Sequence, residues 1–167
     1  MESKTNFNKV QEFNSTFGVE TYDTPKLDVL TSNPELIKLR LSLVNEECQE
    51  LNDAVRDNDF VETCDALADI LYVVYGFFDA IGVDADKAFD VVQQSNMSKV
   101  CETEEQAIKT VEWYKKSMLD TYDSPDYKLS PCGKYWIVYN KSTGKVLKNV
   151  DYLKVDFTKL LQNEVSI

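Results

Sequence analysis

The chain contains no histidine. That absence removes imidazole general bases, imidazole metal ligands and every Ser-His or Cys-His nucleophile pair. Cysteine is sparse too: Cys48, Cys64, Cys101 and Cys132 are scattered with no CxxC, so a zinc site is not expected. There are five glycines, and neither GxGxxG nor a P-loop glycine pattern occurs, which leaves dinucleotide-fold and P-loop readings without support. Positive charge is short, with 18 Lys and Arg against 29 Asp and Glu and a net charge of −11. A nucleic-acid polymer or an anionic membrane is therefore not an expected partner, because both need clustered Lys and Arg. No signal peptide or long apolar run is visible, so a cytoplasmic setting with reduced thiols is expected.

What is present is a globular composition of 167 residues, 43% apolar and 28% charged, enough for one domain with a real core. The apolar spacing predicts helices. The first spans Asn6 to Phe17, with Phe7, Val10, Phe13 and Phe17 as its apolar face and Gly18 as its stop. Asn33-Pro34-Glu35 supplies an N-cap, a first-turn proline and an acid, and opens a helix to about Arg56. A third runs from Asp59 to about Ile81, and a fourth from an Asp84 cap to about Val100. Thr103 to Gln106 reads as a capping box for a fifth, to about Met118. Lys134 to Asn140 alternates and is rich in aromatic and β-branched residues; with a turn at Ser142 to Gly144 and a return over Lys145 to Leu147 it predicts a β-hairpin. The expectation is an all-α helical bundle, its core over about 1–118, with a small C-terminal hairpin and tail over about 119–167 in the same single domain.

The acids carry the chemistry. On the helix that begins at Asn33, Ile37, Leu41, Val44, Cys48, Leu51 and Val55 form one apolar stripe, and Leu36, Leu43 and Ala54 a second. Glu47 and Glu50 flank the second stripe, and Glu46 lies further round. The next helix is apolar almost all round, which predicts burial in a bundle or oligomer, yet Glu62, Asp65 and Asp69 share one arc with Gly76 and Ala80. Arg40 and Arg56 are too few to pair them all. Acids on a helix are usually a solvated face; EExxE followed by ExxDxxxD on an apolar helix favours a divalent cation instead. An all-carboxylate donor set suits Mg²⁺ or Mn²⁺.

EExxE at Glu46 to Glu50 and ExxD at Glu62 to Asp65 resemble the signature of the all-α nucleoside triphosphate pyrophosphohydrolases, the superfamily of MazG, the dimeric dUTPases and phosphoribosyl-ATP pyrophosphohydrolase. DALADILYVVYG, SNMSKV and GKVLKNVDY are similar to its MazG-like, phosphoribosyl-ATP pyrophosphohydrolase-like branch. The resemblance implies Mg²⁺-dependent cleavage of a nucleoside triphosphate to monophosphate and pyrophosphate. It implies that Glu47, Glu50, Glu62 and Asp65 hold the metal, with Asp69 as an outer ligand. Glu46 would orient or deprotonate the attacking water, or be a further ligand. Asn96 and Lys99 of SNMSK would contact substrate, as would Tyr72; otherwise they are an ordinary helix end and a core aromatic. Lys145 and Lys148 either close over the phosphates or are solvated. Expected substrates are (d)NTPs, dUTP among them, with phosphoribosyl-ATP as the alternative and a non-catalytic nucleotide-binding dimer as the third reading. The buried helix and the resemblance predict a homodimer, or a tetramer of paired dimers.

Overall fold

A computed structural model describes residues 4–117 and 122–162. The chain forms two compact units, one comprising residues 1–89 and 157–167 and the other 90–156. The division falls inside a helix, upstream of the junction expected near residue 118.

The first unit is helical. Helix α1 (Asn6–Phe17) starts where the Thr5 hydroxyl accepts from the Asn8 amide and stops at Gly18 in the left-handed region. A short α2 (Val29–Ser32), unforeseen because it is a single turn, precedes α3 (Pro34–Arg56). Asn33 Oδ1 accepts from the Leu36 amide and Pro34 fills the first turn, as the sequence reading anticipated. Asp57, Asn58 and Asp59 turn the chain into α4 (Phe60–Ala80), where Asp59 Oδ1 accepts from the amides of both Val61 and Glu62 at 3.0 Å. A link this short makes α3 and α4 antiparallel neighbours. Their register follows from three layers: Leu36 clusters with Ala80, Arg40 lies against Gly76, and Glu47 is within electrostatic reach of Asp69. Helix α1 packs on α4 as well.

The buried side of α3 is therefore the second stripe. Leu36, Arg40 and Ala54 are buried, while Leu41, Cys48 and Val55 of the first stripe are exposed. Within one chain α4 is only partly covered: Phe60, Val61, Leu67 and Leu71 are exposed, because α1 and α3 cover only part of its circumference. Phe7 and Val10 of α1 are buried, but Phe13 and Phe17 stand out and stack on each other with ring centroids 4.4 Å apart. Cys64 is likewise exposed rather than a core thiol.

Helix α5 (Ala85–Met97) ends three residues before the expected Val100 and continues into the second unit. There α6 (Glu104–Lys116) is capped by the Thr103 hydroxyl, which accepts from the Gln106 amide. Gln106 Oε1 reaches back one residue further than a capping box requires, to the Glu102 amide at 2.9 Å. The expected end at Met118 lies outside the described residues.

Strands β1 (Pro125–Leu129) and β2 (Trp136–Asn140) pair antiparallel, Pro125 opposite Asn140 and Leu129 opposite Trp136. The predicted strand is present, but its main partner is β1 and not the Lys145–Leu147 return, which makes a single bridge from Val146 to Tyr139. Pro125, Asp126 and Lys128 hid β1; a proline is admissible there as the first residue of an edge strand. Cys101, Ala107, Val111, Tyr114, Val138 and Leu147 form this unit's core. A short α7 (Thr158–Gln162) follows an extended tail.

Asn140, only 1% exposed, anchors the second unit. Its Oδ1 accepts from the Ser124 amide at 2.9 Å, and its Nδ2 donates to Asp123 Oδ1, Ser142 Oγ and Thr143 Oγ1. Replacing it with alanine strands a buried amide, and Asn140→Ala is expected to destabilise this unit by about 2 kcal/mol. Both described tryptophans, Trp113 and Trp136, lie here, so tryptophan fluorescence in urea reads the loss directly.

Candidate metal-dependent active site

The α3–α4 seam brings the acids together from two helices. Glu47 is half-buried, while Glu46, Glu50, Asp65 and Asp69 are exposed around it. Burial pushes the Glu47 carboxyl above the usual carboxylate range, and repulsion from Glu50, Asp69, Glu46 and Asp65 pushes the same way. No lysine or arginine makes an ion pair with any of the five among the described residues. Glu62, in the first turn of α4, is exposed. Asp69, one turn beyond the ExxD motif, is among the charges acting on Glu47.

Hard oxygen donors carrying uncompensated negative charge fit a divalent cation. As placed, no three acidic, cysteine or histidine side chains among the described residues stand close enough to hold an ion, so loading would draw the exposed carboxylates inward. The linkage sign gives a test. A carboxyl raised on folding binds a proton more readily in the folded than in the unfolded chain, so its contribution to stability is fullest below the ordinary carboxylate value and is lost as pH rises through the raised one. Thermal unfolding of metal-free protein is expected to show this loss as pH rises above the ordinary carboxylate range, and the loss should be smaller in Glu47→Gln.

Between α1 and α4 lies an open cleft of about 210 Å³ lined by Asn6, Lys9, Ala68, Leu71, Tyr72 and Tyr75. Tyr72 meets Phe13 edge-on at 5.7 Å. The Tyr75 hydroxyl donates to Asp86 Oδ1 at 3.0 Å, which together with burial holds that phenol above its usual value. Asn6 and Lys9 were not foreseen as site candidates; the signal in the sequence is that they sit one turn apart on α1.

The other candidates lie in the second unit. Asn96 is exposed in the last turn of α5, and Lys99 Nζ donates to its Oδ1 at 2.7 Å. The SNMSK segment and the tail meet here: Ser95 Oγ bonds the Tyr152 hydroxyl at 3.0 Å and the Leu153 carbonyl at 2.9 Å, and Ser98 Oγ accepts from the Leu153 amide. Lys148 lies over the Tyr152 ring at 4.5 Å and Lys145 over that of Tyr122 at 5.4 Å, both exposed.

Residues 10–96 match the model of the phosphoribosyl-ATP pyrophosphohydrolase family, over half the chain and including every acid of the seam. The chain belongs to the phosphoribosyl-ATP pyrophosphohydrolase family. That family's chemistry is hydrolysis of phosphoric anhydride bonds with release of pyrophosphate. Most of the second unit lies beyond the family match. An uncharacterised protein of Acanthamoeba polyphaga mimivirus is similar to both units: it is 28% identical over 246 aligned positions, covering 96% of this chain and 97% of the viral protein. Among the described residues no single helix of this family member is long and apolar enough to cross a membrane.

Proposed function

We propose that the protein is a Mg²⁺- or Mn²⁺-dependent nucleoside triphosphate pyrophosphohydrolase that converts (d)NTPs, dUTP among the candidates, to monophosphate and pyrophosphate. The observation that carries this reading is Glu47: a half-buried carboxyl, raised by burial and by four neighbouring carboxylates, in a family that splits phosphoric anhydrides. Glu47, Glu50, Glu62 and Asp65 would hold the metal, with Asp69 as an outer ligand. The metal would supply charge neutralisation at the phosphates and a more acidic bound water. Glu46, exposed at the rim, orients the attacking water and takes its proton; no histidine is required. Tyr72 and Tyr75 give the cleft aromatic walls on which a nucleoside can rest, one turn and more along α4 from Asp65 and Asp69. Asn96, Lys99, Lys145 and Lys148 are the candidate phosphate contacts of the second unit.

Incubating the protein with a panel of dNTPs, NTPs and phosphoribosyl-ATP, with and without Mg²⁺, tests the reading. Equimolar monophosphate and pyrophosphate from a dNTP is the expected result. Preferential turnover of phosphoribosyl-ATP would transfer the assignment to that substrate, and tight nucleotide binding without turnover would mark a non-catalytic binder.

The exposed apolar side chains Leu41, Val55, Phe60, Val61, Leu67 and Leu71 form more uncovered surface on two helices than a monomer ordinarily leaves in water. A second copy of the chain is the occupant we assign to it. Sedimentation should show a dimer or a pair of dimers, and Leu71→Glu should shift the population toward monomer. A wild-type monomer at micromolar concentration would contradict the assignment. With its cysteines free, the protein fits a reducing cytoplasm.

A further inference from the structure

Arg40 and Asp79 are buried charges that the chemistry above does not use. Arg40 is 7% exposed and Asp79 5%. Arg40 Nε and Nη2 have no hydrogen-bond partner among the described residues. Asp79 does not relieve them directly, because its carboxylate is engaged elsewhere: Oδ1 accepts from Gln11 Nε2 at 3.1 Å and Oδ2 from Asn14 Nδ2 at 2.7 Å, both on α1. The two charges still attract, the field of Asp79 opposing the burial that pulls the Arg40 guanidinium below its usual value. Gly76 makes the room: a Cβ there would stand 3.4 Å from Arg40 Nη1 and 3.8 Å from Val10 Cγ1.

Stability does not account for this arrangement. A buried charge pair can usually be exchanged for apolar side chains without loss, whereas an isolated buried charge is costly. One turn along the same seam, Leu36 and Ala80 show the apolar solution. The charged layer does what the apolar one cannot: it sets a guanidinium against Gly76, about one turn before Asp79, whose carboxylate accepts two hydrogen bonds from α1. Those bonds are the ones by which α4 holds Gln11 and Asn14. The same turns of α1 contribute Asn6, Lys9 and Val10 to the α1–α4 cleft. Arg40 itself is not part of that lining.

We propose that Arg40 is a positioning residue for the pyrophosphohydrolase reaction: acting through Asp79, it holds α1 in register on α4 and so keeps the α1–α4 cleft shaped for the nucleoside part of the substrate. The inference rests on the functional reading given above. Its consequence belongs to substrate binding and not to the chemical step, because the acids of the seam lie two turns away along α3.

The test compares wild type, Arg40→Met, Arg40→Lys and the double variant Arg40→Met/Asp79→Asn, by steady-state pyrophosphate release at saturating Mg²⁺ and by hydrogen exchange of the α1 amides. Arg40→Met is expected to raise KM on the order of tenfold, equivalent to about 1.4 kcal/mol, with kcat nearly unchanged and α1 exchanging faster. Arg40→Lys, which keeps the charge, should recover part of the KM. If Arg40→Met fails to fold, the double variant decides, since it leaves no lone charge buried; it should fold and show the same raised KM and loosened α1. Wild-type KM and exchange in whichever variant folds would overturn the proposal, as would a fall in kcat with KM unchanged. Wild-type protein that releases no pyrophosphate from any nucleotide would sink the functional reading and the positioning role with it. The exchange comparison would still report whether Arg40 tethers α1.

Discussion

Glu47→Gln and Glu50→Gln should each lower pyrophosphate release by about 10²–10³-fold, the scale seen when one member of a charge-stabilising constellation is removed from an active site. Glutamine preserves size and one carbonyl oxygen but removes the negative charge that attracts the cation. The loss should be partly recovered by raising Mg²⁺, because a weakened site can be refilled by mass action. The effect is opposite in sign for stability: without metal, the Glu47 variant relieves repulsion from four neighbours and should unfold at a higher temperature than wild type. A variant that is both less active and more stable is the expected signature of acids kept for function. Initial rates across a Mg²⁺ series, alongside thermal unfolding with and without metal, check both halves.

Gly82→Ala should destabilise the helical unit by about 3 kcal/mol. Gly82 closes α4 with φ of +74°, in the left-handed region that disfavours side chains. The more severe problem is contact: a Cβ would lie 2.0 Å from the Thr24 carbonyl oxygen and 2.5 Å from its carbon. These are backbone atoms, so no side-chain rotation relieves the clash and the 22–24 segment must move. That segment is tied to the end of α4 through the Tyr22 amide, which donates to the Asp79 carbonyl. Gly18→Ala is the matched control. Its φ is +66°, but nothing lies within 4 Å of the added atom, so it should cost only about 1 kcal/mol. Denaturant unfolding followed by far-UV circular dichroism separates the two.

Much of the helical unit was legible because its boundaries are local. Thr5, Asn33 and Asp59 all cap as their side-chain chemistry dictates, and Thr103 does the same in the second unit. The acids were legible as a group because charge at regular spacing on an apolar helix is a strong departure from ordinary patterning. Which acids face one another was not, because this depends on the register of α3 against α4. The register places Arg40 inside, in line with its place on the second stripe between Leu36 and Leu43. The hairpin was half-read: β2 declares itself by aromatic and β-branched alternation, whereas β1 takes its pairing from β2 and carries little signal of its own. The apolar stripe from Leu41 to Val55 was legible as apolar, and Leu41 and Val55 stand exposed on this chain. Periodicity reports that a face is to be buried but not against which partner.

Calorimetric titration of Mg²⁺ into wild type and Glu47→Gln, each in the presence of a non-hydrolysable dNTP analogue, tests the central claim most directly. The account predicts saturable binding to the wild type and binding weakened by an order of magnitude or more, about 1.4 kcal/mol, in the variant. Equal Mg²⁺ binding by the two proteins would contradict it, and would mean that the carboxylates around Glu47 are not the cation site.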